Sequence, residues 1–171
     1  MATLHLVEGP VGAGKSTFAQ KLSRSLRAPH LDLDAWMVTL FSPDRPSNDF
    51  MAWYSDRKGR CVQQIWNVAC ELLDTGTSTI LELGLVRLAD RDDFYRRVDA
   101  TDYDLRVYLL DTPLAQRRQR VRQRNSQKSG SYKMEVSEEI FDLANSFWEE
   151  PTEAECRERN IEIVPTIQIG G

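Results

Sequence analysis

The sequence predicts an α/β fold built on a parallel sheet, and three observations carry that prediction. Short apolar runs alternate with helical-period segments along the chain, and a glycine-rich loop separates the first run from the first helix. The run at 80–83 is apolar except for one carboxylate, as a strand covered on both faces is. With 171 residues, 41% of them hydrophobic and 28% charged, the chain suits one globular domain spanning 1–171. A formal net charge of −4 argues against a generally cationic surface that grips nucleic acid or anionic lipid, so any phosphate recognition has to be local.

The elements follow in order. Thr3 to Glu8 reads as a strand, and Phe18, Ala19, Leu22 and Leu26 recur at helical spacing up to about Arg27. His30 to Asp32 reads as a second short strand and Asp34 to Phe41 as a short helix, which the proline-rich stretch 43–48 ends. A long helix from Phe50 to Leu73 carries the stripe Val62, Ile65, Ala69, Leu72 and Leu73 and stops at Thr75-Gly76. Ser78 to Leu83 forms a third strand, Val86 to Asp99 a helix, and Leu105 to Leu110 a fourth strand. Thr112-Pro113 then offers a cap and a first-turn proline for a helix to about Arg124. The polar stretch 125–132 has the composition of a mobile lid, placed with its helix at about 117–134. Glu135 to Trp148 reads as helix and Asn160 to Val164 as the last strand, while Thr152 to Glu155 fits a capping box.

His5 and Glu8 interrupt the apolar N-terminal stretch, which reads as neither a signal peptide nor a membrane span; a cytoplasmic setting is expected. Three cysteines, odd in number and without C-x-x-C spacing, read as reduced thiols. His5 and His30 read as structural, with no His/Cys metal cluster.

The chemistry begins at Gly9-Pro10-Val11-Gly12-Ala13-Gly14-Lys15-Ser16, followed by Thr17, which satisfies G-x-x-x-x-G-K-[ST] between a strand and a helix. Glycines let successive backbone N–H groups curl around phosphate oxygens, and the helix N-terminus adds its positive dipole end. Lys15 then reaches the β- and γ-phosphates of a nucleotide, Ser16 Oγ is placed to ligate Mg²⁺, and Thr17 supports the α-phosphate. ATP and Mg²⁺ are the expected cofactors.

Asp32 and Asp34 are two apart, so on an extended segment both project from one face, at the strand end where ligands of open α/β sheets bind. Asp32 is assigned to the Mg²⁺ shell and Asp34 to the acceptor hydroxyl, as base or orienter; the roles are exchangeable, and Asp34 also suits the cap of a helix starting at Ala35. Glu82, a carboxylate in a buried strand, needs a cation or donors, either as a short Walker-B-like metal position or as a structural ion pair. Gly84 leaves room for a substrate.

Five arginines crowd the predicted helix after Pro113. Arg117, Arg120 and Arg124 fall on one side and Arg118 and Arg122 on another, and Arg120 and Arg124 are the candidates for the nucleotide. Arg45, Arg57 and Arg60, with Trp53 and Tyr54, occupy an acceptor-side segment at about 42–75 suited to an anionic or ring-shaped acceptor, or to a surface helix with aromatic anchors.

These segments resemble the small P-loop kinases, among them shikimate kinase, chloramphenicol phosphotransferase and the zeta-toxin kinases. Most of all they are similar to ATP-binding AAA-domain P-loop kinases, which share stretches like Leu40 to Pro46, Arg120 to Asn125 and Pro151 to Glu153. Shikimate kinases carry Gly-Gly-Gly after the third strand, where this chain has Glu82-Leu83-Gly84. The resemblance implies a nucleotide-kinase-like P-loop fold with a five-stranded parallel sheet in order 2-3-1-4-5. It also implies Mg·ATP at the loop and transfer of the γ-phosphoryl group to a small hydroxyl acceptor. A monomer or homodimer without a membrane partner is expected, and the acidic total charge weighs against a nucleic-acid partner. It carries over Lys15, Ser16, Asp34, Arg120 and Arg124. The competing readings are a kinase for the 5′-hydroxyl of a nucleic acid, motivated by the arginine-rich helix, and a nucleotide-dependent switch whose output is a partner interaction.

Overall fold

A computed structural model describes residues 2–127 and 136–165. Five strands form one parallel sheet in the order β2-β3-β1-β4-β5. These are β1 (Thr3–Glu8), β2 (His30–Asp32), β3 (Thr79–Glu82), β4 (Asp104–Asp111) and β5 (Glu162–Pro165). The helices are α1 (Lys15–Leu26), α2 (Leu33–Phe41), α3 (Phe50–Asp74), α4 (Leu88–Asp99), α5 (Leu114–Gln127), α6 (Glu138–Ser146) and α7 (Glu153–Glu158).

The central strands alternate their side chains between two cores. Leu4, Leu6, Leu81 and Val107 pack with Met37, Ile65 and Phe94 from α2, α3 and α4, whereas Val7, Ile80, Tyr108 and Leu110 pack with Ala19 and its half-buried neighbours Phe18 and Leu22 from α1. All four residues of β3 are buried, as its composition predicts for a strand with helices on both faces. Along α3 the buried positions are Cys61, Ile65, Ala69 and Leu73, one residue every turn. The helix ends in a Schellman motif: Thr77 N–H donates to the Leu72 carbonyl at 2.8 Å and Gly76 N–H to that of Leu73 at 2.9 Å. At α7, Thr152 Oγ1 accepts from Glu155 N–H, as the capping-box reading predicts.

Two expectations need correction. The second helix starts at Leu33, capped by Asp32, whose Oδ1 accepts from Ala35 N–H at 3.1 Å. Asp34 therefore lies in its first turn, not at its cap, and the two aspartates do not share an extended segment. The other concerns Glu155, whose side chain does not fold back on the cap but pairs with Arg91 inside the protein. The helix expected from Glu135 begins at Glu138, capped by Ser137. Of the lid expectation, residues 128–134 lie outside the described residues. No described helix is long and apolar enough to cross a membrane.

Candidate active site

The loop between β1 and α1 closes on itself through Ala13 N–H, which donates to the Pro10 carbonyl at 3.2 Å, and Phe18 N–H, which starts the helix on the Gly14 carbonyl. Lys15 Nζ arches back to the carbonyls of Gly9 and Pro10 at 2.9 and 3.0 Å. Helix α5 braces the loop from outside: Thr112 Oγ1 and Arg120 Nη1 donate to the Ala13 carbonyl at 3.1 and 3.2 Å, and Arg117 Nη1 to that of Val11 at 3.2 Å. Gly12 adopts φ +77°, and a β-carbon there would lie 2.8 Å from the Arg117 carbonyl oxygen, so only glycine lets the loop approach the helix this closely.

Glu82 ends β3 opposite Asp32 of β2. Its Oε1 accepts from Ser16 Oγ at 2.8 Å, and its Oε2 lies 3.2 Å from His30 Nε2. Ligand atoms of His30, Asp32 and Glu82 all lie within 4.8 Å of one another. Ser16, Asp32 and Glu82, the residues expected around Mg²⁺, are thus contiguous with the loop, and the hard-oxygen donor set fits that ion. His30, read from sequence as structural, belongs to this group; only the β2–β3 register brings it there. His5 is a core residue, its Nδ1 3.1 Å from Tyr108 Oη and its ring stacked on that tyrosine.

Asp34 is exposed at the start of α2. Tyr54 of α3 lies close enough to feel its charge: burial, and then the Asp34 carboxylate, push the Tyr54 hydroxyl up to about 12. Beyond Glu82, Gly84 has φ +60° and nothing within 4 Å of where a β-carbon would stand. Lys58 Nζ donates to the Gly84 carbonyl at 3.2 Å.

The arginines of α5 divide as their spacing predicts. Arg117 and Arg120 face the loop, and half-buried Arg124 follows one turn on, whereas Arg118 and Arg122 pair with Glu138, and Arg118 also with Asp142, of α6. On the acceptor side, Arg57 sits over the rings of Trp53 and Phe41, at 4.8 and 5.8 Å from their centroids. Arg45 lies over Phe50, and exposed Arg60 pairs with Asp56.

Sequence reasoning gave no role to Glu8, the last residue of β1. It is 3% exposed, and among the described residues Tyr95 is the side chain that offers its carboxylate a hydrogen bond. Burial pushes its carboxyl up to about 8, against the pull of Arg91. Its interruption of an apolar strand is the signal that marks it. Nearby, Arg91 donates through Nε and Nη2 to Glu155 at 2.6 and 3.1 Å and through Nη1 to the Glu149 carbonyl at 2.9 Å.

Comparison with known proteins agrees with this fold. The model of the AAA domain family matches residues 4–151. A search of curated proteins finds no match. Among solved structures, the APS kinase CysC of Mycobacterium tuberculosis, in complex with AMPPNP and APS, superposes with TM-score 0.64 at 18% identity, covering 96% of this chain and 88% of that one. Kti12 of Chaetomium thermophilum, in complex with ADP-AlF3, gives 0.70 at 14% identity over 95% and 88%. A chain of the Pnkp1/Rnl/Hen1 RNA repair complex gives 0.64 at 19% identity, over 85% of this chain and 43% of that one. The chain belongs to the AAA domain family and has the fold of the small P-loop kinases.

Proposed function

We propose that the protein is a kinase that transfers the γ-phosphoryl group of ATP to a hydroxyl of a small-molecule acceptor. The observation that carries this reading is the convergence, at the carboxyl ends of β1, β2 and β3, of the Lys15-Ser16 pair with Glu82 and Asp32, with Asp34 following two residues on at the start of α2. Loop amides bind the phosphates, and Lys15 compensates charge on the transferring group. Bound Mg²⁺, held by Ser16 with Asp32 and Glu82 behind it, would neutralise further phosphate charge. Asp34 orients the acceptor hydroxyl and takes its proton as the new O–P bond forms and the bond to the ADP oxygen breaks. Arg120, anchored on the Ala13 carbonyl, and Arg124 on the same face of α5 stand on the nucleotide side. The fold shared with APS kinase supports this reading.

Incubation with γ-labelled ATP and a pool of hydroxyl compounds, read by mass shift, is the direct test, and a phosphorylated small product is expected. Lys15→Ala and Asp34→Asn should each lower transfer by about 10²–10⁴-fold with an unchanged circular dichroism spectrum. Full activity in Asp34→Asn removes its role. The likeness to the RNA repair chain keeps a nucleic-acid acceptor as a second reading. Binding of a short oligonucleotide that falls steeply with salt would favour it, although Arg118 and Arg122 already face the acids of α6.

A further inference from the structure

We infer that the acceptor is itself an anion, a hydroxyl compound carrying a carboxylate or phosphate group, and that Lys58 and Arg57 hold that group. The transfer part of this inference rests on the kinase reading; the binding part does not.

Several cations of this chain are matched with carboxylates. Arg91 is given Glu155, Arg159 is given Asp99, and Arg118 is given both Glu138 and Asp142. Half-buried Lys58, like buried Arg117 beside the glycine loop, is bonded to backbone carbonyl instead. Its ammonium donates to the Gly84 carbonyl at 3.2 Å, and among the described residues no carboxylate forms an ion pair with it. A carbonyl dipole satisfies one N–H but does not cancel the charge, which leaves the ammonium able to pair with an anion. Among the described residues Arg57, one residue earlier, reaches the Trp53 carbonyl at 3.4 Å and makes a long ion pair with Asp56 at 3.5 Å, both through Nη1, and Asp56 also serves Arg60. The Trp53 and Phe41 rings lie beside its guanidinium, whose planar fork suits a carboxylate or phosphate group.

Position connects these cations to the chemistry. Tyr54, one helical turn before both, lies near Asp34, and Lys58 is bonded to the backbone two residues past Glu82. The space beside Gly84 is open. An acceptor with its hydroxyl at Asp34 and its anionic group at Lys58 therefore spans one continuous stretch of the acceptor side.

The test uses the full chain with saturating Mg²⁺ and ADP, so that the glycine loop is filled, and titrates inorganic phosphate and, separately, acetate by calorimetry. Saturable binding of at least one is expected. It should weaken at least tenfold in Lys58→Gln and in Arg57→Gln, persist in Lys58→Arg, and be unchanged in Arg96→Gln, which lies on the exposed face of α4. Preference for phosphate assigns a phosphate-bearing acceptor, and preference for acetate a carboxylate-bearing one. Absence of binding to the wild type, or equal binding in folded Lys58→Gln and Arg57→Gln, overturns the inference. In the transfer assay, KM for the acceptor should rise at least tenfold in Lys58→Gln with little change in kcat; a neutral acceptor whose KM is unmoved also overturns it. Anion binding that depends on Lys58, with no phosphorylated product from any compound, defeats the kinase reading and leaves the anion site standing.

Discussion

Two buried carboxylates of similar exposure, Glu82 and Glu155, at 6% each, have been put to different uses. Glu155 meets a fully buried arginine in a two-pronged ion pair, and a third nitrogen of Arg91 reaches the Glu149 carbonyl, so helix α4 and the segment before α7 are locked to each other. Around Glu82 the fold instead gathers a second carboxylate and an imidazole from β2 and a serine hydroxyl from α1. The first group is a one-to-one lock; the second is rich in acceptors and sits against the glycine loop. Burial of charge does not by itself mark a site; its stoichiometry and its neighbours do.

The comparison is broken most directly at Arg91. Arg91→Ala leaves Glu155 buried without its cation and should cost about 3–5 kcal/mol in denaturant unfolding. A loss below about 1 kcal/mol would mean that the pair does not lock the fold. Glu8, between the two groups, sharpens it next. Below about pH 4.5 Glu8 is protonated in both states, but from there to about 8 the unfolded chain ionises while the folded protein keeps its proton. The unfolded state then binds fewer protons, and stability falls by about 1.4 kcal/mol per pH unit across that window. Urea midpoints at about pH 5 and about pH 8 measure this, and Glu8→Gln should flatten the decline. The smallest effect is expected at Glu82. Glu82→Gln keeps an acceptor for Ser16, so stability should change by less than about 1 kcal/mol, whereas the Mg²⁺-dependent gain in ATP affinity should fall about 10- to 100-fold by calorimetry. An unchanged gain would remove Glu82 from the metal's surroundings.

Much of this architecture was legible from local pattern. The glycine spacing marked the loop, the 3.6 period marked α3, and a mostly apolar run marked β3 as covered on both sides. What escaped notice depended on distance in sequence. The composition around Asp34 suited a helix cap, but the strand ends at Asp32 and that residue takes the cap instead. Glu155 stood at a capping-box position, and its partner lies 64 residues away. His30 reaches Glu82 only because the register sets His30 opposite Ile80, diagonal to it. Lys58 drew no attention, since a lysine in an amphipathic helix has no signature until the helix is laid against the strand end.

The close approach at Gly12 changes what a substitution there would mean. Its glycine is required by the backbone of α5 as much as by any bound phosphate, because an added methyl would strike the Arg117 carbonyl before a nucleotide entered. The cradle and the helix behind it thus behave as a single mechanical part. A larger residue at that position should reshape the empty loop itself, so lost affinity in such a variant would report a displaced helix, not a blocked pocket.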